Sequence, residues 1–84
     1  MYYVYIIYSP SCGRYYTGCT ENIAKRVSEH NRNIMRSTKD KGPWRLIYKE
    51  VFDIKTDALK REKAIKRYKG GTAFKRLISS VPIV

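Results

Sequence analysis

The sequence predicts an α+β domain, a small three-stranded antiparallel sheet flanked by helices in the order ββαβαα. Three observations carry this expectation. Tyrosine and β-branched residues crowd the opening positions around a Pro/Gly turn, the composition returns in "WRLIYKEVF" at 44–52, and the intervening stretches carry helix caps and helical periodicity.

Residues 2–8 are almost all aromatic or β-branched, and residues 14–19 look similar after "SPSCG", whose Pro10 and Gly13 supply turn chemistry. This is a hairpin. Alternation puts Tyr3, Tyr5 and Ile7 on one face and Tyr2, Val4, Ile6 and Tyr8 on the other. A four-residue loop at Ser9 to Cys12 sets Tyr5 opposite Tyr16, with both rings on one face. Thr20 or Asn22 caps a helix running to about Asn33, with Ile23, Ala24, Val27, Asn31 and Ile34 along its inner side. Arg26 and His30, four residues apart, stack on the margin of that arc as a cationic, proton-exchanging ledge beside the sheet. "RSTKDKGP" is a basic loop, and the third strand follows at 44–52. Thr56 caps a helix from Asp57 to about Lys69 that stops at Gly70-Gly71, and a last short helix covers about 72–79.

Length and charge limit the function classes. A chain of 84 residues has room for one domain with a modest core. Lys and Arg number 18 against 7 Asp and Glu, a formal charge of +11, while 43% hydrophobic content is that of a folded protein. Such an excess is relieved by a polyanion, so nucleic acid is the expected partner, with a solvated basic surface as the bland alternative. Two cysteines without CxxC spacing and a single histidine suggest neither a disulfide framework nor a zinc site. No apolar run approaches a membrane span and no leader pattern opens the chain, so the expected location is the cytoplasm, with no membrane partner.

The second long helix carries an anomaly. With Ala58 at zero, Leu59 falls at about 100°, Ile65 at about 340° and Glu62 at about 40°, inside the apolar arc. A carboxylate there needs a partner: a basic side chain such as Arg26, a tyrosine hydroxyl, or a divalent cation. A buried structural Glu–Arg bridge is the non-functional alternative.

The ordered set of "YVYII", "YYTG", Arg26 ten residues after Tyr16, His30 four beyond, and "DALKREKAIK" resembles the GIY-YIG endonuclease superfamily, most closely its small stand-alone bacterial members. The resemblance covers essentially the whole chain. It implies a GIY-YIG-like sheet flanked by helices and cleavage of DNA phosphodiester bonds with one divalent metal, Mg²⁺ or Mn²⁺, in DNA repair or recombination. Tyr3-Val4-Tyr5 stands where the family has Gly-Ile-Tyr, and Tyr16-Thr17-Gly18 where it has Tyr-Ile-Gly. Arg26 matches the helix arginine, His30 its frequent companion and Glu62 the metal-binding glutamate. The chain departs from the pattern at Tyr3 and Thr17, and no counterpart is found of the asparagine that some members carry after the glutamate helix.

Roles follow from chemistry at pH 7. A tyrosine is a poor base unless cations favour its phenolate, so Tyr16 as base requires Arg26 and a Glu62-bound metal nearby. Tyr5 orients the water or a phosphate oxygen, His30 relays a proton or binds phosphate, and Gly18 lets the backbone approach the scissile group. Two other function classes stay open. One is a non-catalytic basic module holding DNA or RNA through Lys39, Lys41, Arg61, Lys66, Arg67 and Lys69. The other is a structural or protein-binding domain with Trp44 and the tyrosines as its interface. Glu62 separates the enzyme from the binding module, because phosphate binding alone needs no carboxylate. With no second domain for sequence readout, selection is expected to come from nucleic-acid structure or from a protein partner.

Overall fold

The computed structural model describes residues 1–32, 39–68 and 71–80. Strand β1 (Tyr2–Ser9) pairs antiparallel with β2 (Arg14–Thr20) on one side and with β3 (Arg45–Phe52) on the other, giving the sheet order β2-β1-β3. Helix α1 (Ile23–Asn31) joins β2 to β3, and α2 (Lys55–Lys66) and α3 (Thr72–Ser80) follow β3. The architecture is the α+β arrangement that the sequence predicts.

The central strand explains why "VYII" is a continuous apolar run. Helices cover both faces of the sheet, so Val4, Tyr5, Ile6 and Ile7 are each at most 1% exposed. On one face Tyr5, Ile7 and Trp44 pack with Ile23 and Val27 of α1. On the other, Val4, Ile6 and Tyr48 pack with Ala58 and Ile65 of α2 and Phe74 of α3. Trp44 is 5% exposed and therefore cannot form the interface that a protein-binding domain would need.

The hairpin register differs from the expected one. The four-residue turn is Pro10 to Gly13, so Ser9 faces Arg14, Tyr5 faces Gly18, and Tyr16 faces Ile7. Gly13 decides this: it sits at φ 67°, a left-handed conformation cheap only for glycine, and its N–H closes the turn on the Ser9 carbonyl at 2.7 Å. An even loop keeps Tyr5 and Tyr16 on one face, but diagonal to each other.

Of the two candidate caps of α1, the structure uses Asn22. Asn22 is the N-cap and its side chain accepts from the Lys25 N–H at 3.1 Å, while Thr20 Oγ1 accepts from the Asn22 N–H at 3.1 Å. The inner stripe is Ile23, Val27 and buried His30, a 4-then-3 spacing. Ala24, about 100° off that stripe, faces solvent instead of the core. Asn31 is exposed, yet its amide donates to the Trp44 carbonyl at 3.1 Å and accepts from the Trp44 N–H, tying the end of α1 to the start of β3. Helix α2 begins at Lys55 behind Ile54, with no side-chain cap, so Thr56 lies inside the first turn. Ile34 and Lys69 lie outside the described residues.

Candidate active site

Tyr5 is placed by the middle of β1, and its ring packs against Gly18 of β2. A Cβ at Gly18 would meet the Tyr5 hydroxyl oxygen at 2.5 Å and its Cζ at 2.7 Å. Gly18 thus makes room for the tyrosine across from it, a packing reason for glycine in "YTG" that differs from the expected approach of backbone to substrate.

The Tyr5 hydroxyl is hydrogen-bonded to His30 Nε2 at 3.0 Å, joining strand to helix across 25 residues of sequence. His30 is 0% exposed, with the Tyr16 ring 5.0 Å and the Trp44 ring 6.5 Å from its centroid. The expected cationic, proton-exchanging ledge of Arg26 and His30 is therefore corrected. Packing under Trp44 and the tyrosines draws His30 into the core, while Arg26 stays a third exposed and pairs with Glu29 at 3.2 Å. Burial, then the Arg26 charge, pushes the His30 pKa below its usual value against the opposing pull of Glu29. His30 is neutral at pH 7 and lies out of reach of a phosphate. Burial likewise drives the Tyr5 pKa well above the usual tyrosine value, with Tyr16 adding to the rise and Arg26 opposing it. Tyr5 is a phenol at neutral pH, fit to donate or orient and unfit to act as a base.

In front of this pair a cleft of about 340 Å³ opens between β2, α1 and α2. Tyr5, Tyr16, Gly18, Arg26 and Glu62 all line it, together with Tyr2, Cys19, Thr20, Glu21, Lys55 and Leu59. Four of the five expected catalytic side chains meet there, and the fifth, His30, backs it through Tyr5. Burial and then Glu62 raise the Cys19 pKa, so it contributes a thiol and not a thiolate.

Glu62 lies on the cleft side of α2 with its side chain 16% exposed. Its partner is neither Arg26 nor a tyrosine but Lys66, one turn on, with Nζ 2.8 Å from Oε2. The same ammonium stands 5.9 Å from the centre of the Tyr16 ring. Among the described residues no three His, Cys, Asp or Glu side chains converge as a metal cage. The donors that face the cleft are the carboxylates Glu62 and Glu21 with hydroxyls beside them. Few carboxylates and room for water is the donor set Mg²⁺ accepts, and a cation already rests on Glu62, so the residues fit such an ion.

The remaining expected contacts fall elsewhere. Arg61 gives a bidentate ion pair to Glu50 of β3, with contacts of 2.9–3.1 Å, and the Tyr48 hydroxyl donates to the same carboxylate. This network, absent from the sequence reading, joins α2 to the sheet and pushes the Tyr48 pKa up to about 12, through burial first and Glu50 next. Its only signal was Tyr48 and Glu50 at strand spacing i,i+2. Arg61 is accordingly committed to the fold and does not line the cleft. Lys39, Lys41 and Arg67 are exposed and outside the cleft lining as well. The Lys41 carbonyl is bound by Ser9 Oγ, and Ser11 Oγ donates to the Gly42 carbonyl at 2.9 Å, so Lys41 and Gly42 are fastened to the hairpin turn.

Comparison with known proteins agrees with this geometry. Residues 1–74 match the GIY-YIG catalytic domain. UPF0213 proteins of Staphylococcus saprophyticus and Staphylococcus aureus are 41% identical over 68 residues, 80% of this chain and 82% of theirs. The solution NMR structure of a UPF0213 protein of Bacillus halodurans superposes with a TM-score of 0.62 at 28% identity, over 98% of this chain and 87% of that one. Among the described residues no helix is long and apolar enough to cross a membrane. With tyrosines from both strand motifs brought into one cleft and the match running through α2, the chain belongs to the GIY-YIG catalytic-domain family, a nuclease-type family whose substrate is nucleic acid.

Proposed function

We propose that this protein is a divalent-metal-dependent endonuclease that hydrolyses phosphodiester bonds in DNA. The observation that carries the reading is the convergence of Tyr5, Tyr16, Arg26 and Glu62 on one open cleft of a chain with formal charge +11. Glu62, with Glu21 at the same rim, would hold the metal. Mg²⁺ or Mn²⁺ bound there would neutralise charge building on the phosphate and stabilise the leaving oxygen.

The chain's own residues do the rest. Arg26 pairs with a non-bridging phosphate oxygen. Tyr5, kept protonated by burial and held by His30, orients the attacking water or a phosphate oxygen. Acting as its phenolate, Tyr16 takes the proton as water adds to phosphorus, the bond to the leaving oxygen breaks, and that oxygen is protonated by solvent. His30 acts as a positioning residue, fixing the Tyr5 hydroxyl by the 3.0 Å contact.

Basic side chains outside the cleft, Lys39, Lys41 and Arg67 among them, would grip phosphates. Phosphate contacts carry no base sequence, which supports selection by DNA structure or by a protein partner. A panel of branched, single-stranded and duplex DNA, with Mg²⁺ or Mn²⁺ present or chelated, tests the reading. Cleavage of at least one substrate that stops on chelation is expected. Binding of every substrate with cleavage of none would favour the non-catalytic module.

A further inference from the structure

The Lys66 ammonium pairs with one residue of the proposed site and stands over the ring of another. It bonds the Glu62 carboxylate at 2.8 Å and overlies the Tyr16 ring at 5.9 Å, although its own side chain is half exposed while that of Glu62 is 16% exposed. An ordinary i,i+4 pair on a helix surface links two solvated side chains and leaves the rest of the fold untouched. Here the acidic partner faces a cleft, and the basic partner crosses to an aromatic ring on the neighbouring strand. Glu62 and Lys66 belong to α2 and Tyr16 to β2, so the lysine bridges two elements whose residues Glu62 and Tyr16 line the cleft.

We infer that Lys66 is a tethered counter-ion that holds the Glu62 carboxylate and the Tyr16 ring until a divalent cation displaces it. This rests on the reading of Glu62 as the metal carboxylate. The physical basis is competition for one anionic group. A carboxylate a few ångströms from an ammonium cannot present the same oxygen to Mg²⁺ without losing that contact, and two cations at that spacing repel. Three donors on four rotatable bonds let Lys66 leave for solvent at little cost, which its 51% side-chain exposure already favours. The exchange has two consequences. In the metal-free protein Glu62 is neutralised and does not repel an approaching phosphate. After exchange the ammonium leaves Glu62 and is free to meet solvent or a phosphate.

Two measurements on the full chain test this. The first is Mn²⁺ affinity by titration calorimetry for the wild type, Lys66→Met, Lys66→Arg, Lys63→Met and Glu62→Gln. Lys66→Met should bind Mn²⁺ about three- to tenfold more tightly, because the competitor and its repulsion are gone. Lys66→Arg, which keeps the charge, and Lys63→Met, which removes a neighbouring charge of the same helix, should stay within about twofold of wild type. Glu62→Gln should lose the site. The second is the side-chain CH₂ resonance of Lys66, which should move toward that of a free lysine as Mg²⁺ saturates the protein. Wild-type binding with no change in Lys66→Met, an equal gain in Lys63→Met, or a Lys66 resonance unmoved by Mg²⁺ would overturn the proposal and leave Glu62 as a ligand. Mn²⁺ binding that Glu62→Gln does not reduce, or none in the wild type, would overturn both this inference and the metal reading beneath it.

Discussion

Replacing Gly18 with alanine puts a methyl group where the Tyr5 ring lies, and the cost can be worked from the contacts. The new Cβ would sit 2.5 Å from the hydroxyl oxygen, 2.7 Å from Cζ and 3.0 Å from Cε1. Tyr5 is 1% exposed and its hydroxyl is bound to His30, so the ring cannot swing aside as an exposed side chain would. Overpacking of this kind costs about 1–3 kcal/mol, and displacing the Tyr5–His30 bond adds about 1 kcal/mol. Alanine regains about 0.5–1 kcal/mol in a strand through backbone entropy. The net loss expected is about 1–3 kcal/mol, a fall in Tm of roughly 5–20 °C for a domain of this size. Urea denaturation with an unchanged m-value measures it. Tyr5→Phe in the same background should recover part of the loss, since the 2.5 Å contact disappears and the 2.7 Å one stays. A Gly18→Ala protein within about 0.5 kcal/mol of wild type, or a loss that Tyr5→Phe leaves untouched, would refute this account of the glycine.

Other expectations follow from the same contacts. Arg61→Ala should lower stability by about 1–2 kcal/mol by opening the Glu50 network, yet leave the salt dependence of DNA binding unaltered; a shallower slope would show that Arg61 does reach phosphate. The wild type should lose affinity steeply with salt, with a slope of roughly −4.5 to −5.4 if about five or six phosphates are neutralised, and a flat response would remove the charge argument for the partner. His30 has a depressed pKa in the fold, so the unfolded chain binds the proton more readily. The stability it contributes is fully present above the unfolded value near 6.5 and is lost as pH falls through the lower folded one. Melting temperature followed from pH 7 downward should drop in wild type more than in His30→Gln, and parallel curves would contradict the buried, neutral histidine.

The order of elements was legible because its signals are local: the hairpin turn, the Asn22 cap, the strand at 44–52 and the glycines before α3. The register was not, since it turned on which residue takes the left-handed position, and placing it at Gly13 shifts every pair in the hairpin. Glu62 stood out from helical periodicity alone, and α2 does aim it into the cleft. Its partner is Lys66, an i,i+4 neighbour on the same helix, where the sequence points to a basic side chain such as Arg26, a tyrosine hydroxyl or a cation. Helix angles place His30 on a margin, whereas the Tyr5 hydroxyl, 25 residues away in sequence, supplies the bond that lets it be buried. The Tyr48–Glu50–Arg61 network likewise joins residues from two elements, and no sequence period announces such a contact.

The reading of the site depends most on Glu62, and one paired measurement addresses it. Cleavage of the best DNA substrate in Mg²⁺ is compared between wild type and Glu62→Gln, beside their melting temperatures with and without Mg²⁺. The substitution keeps volume and removes only the charge that holds a cation. Because the Glu62–Lys66 pair is partly exposed, its loss should cost no more than about 1 kcal/mol. The account predicts that Glu62→Gln folds and binds DNA as well as wild type or slightly better, gains no stability from Mg²⁺, and does not cut. A variant that melts early and still cuts at the wild-type rate would contradict it.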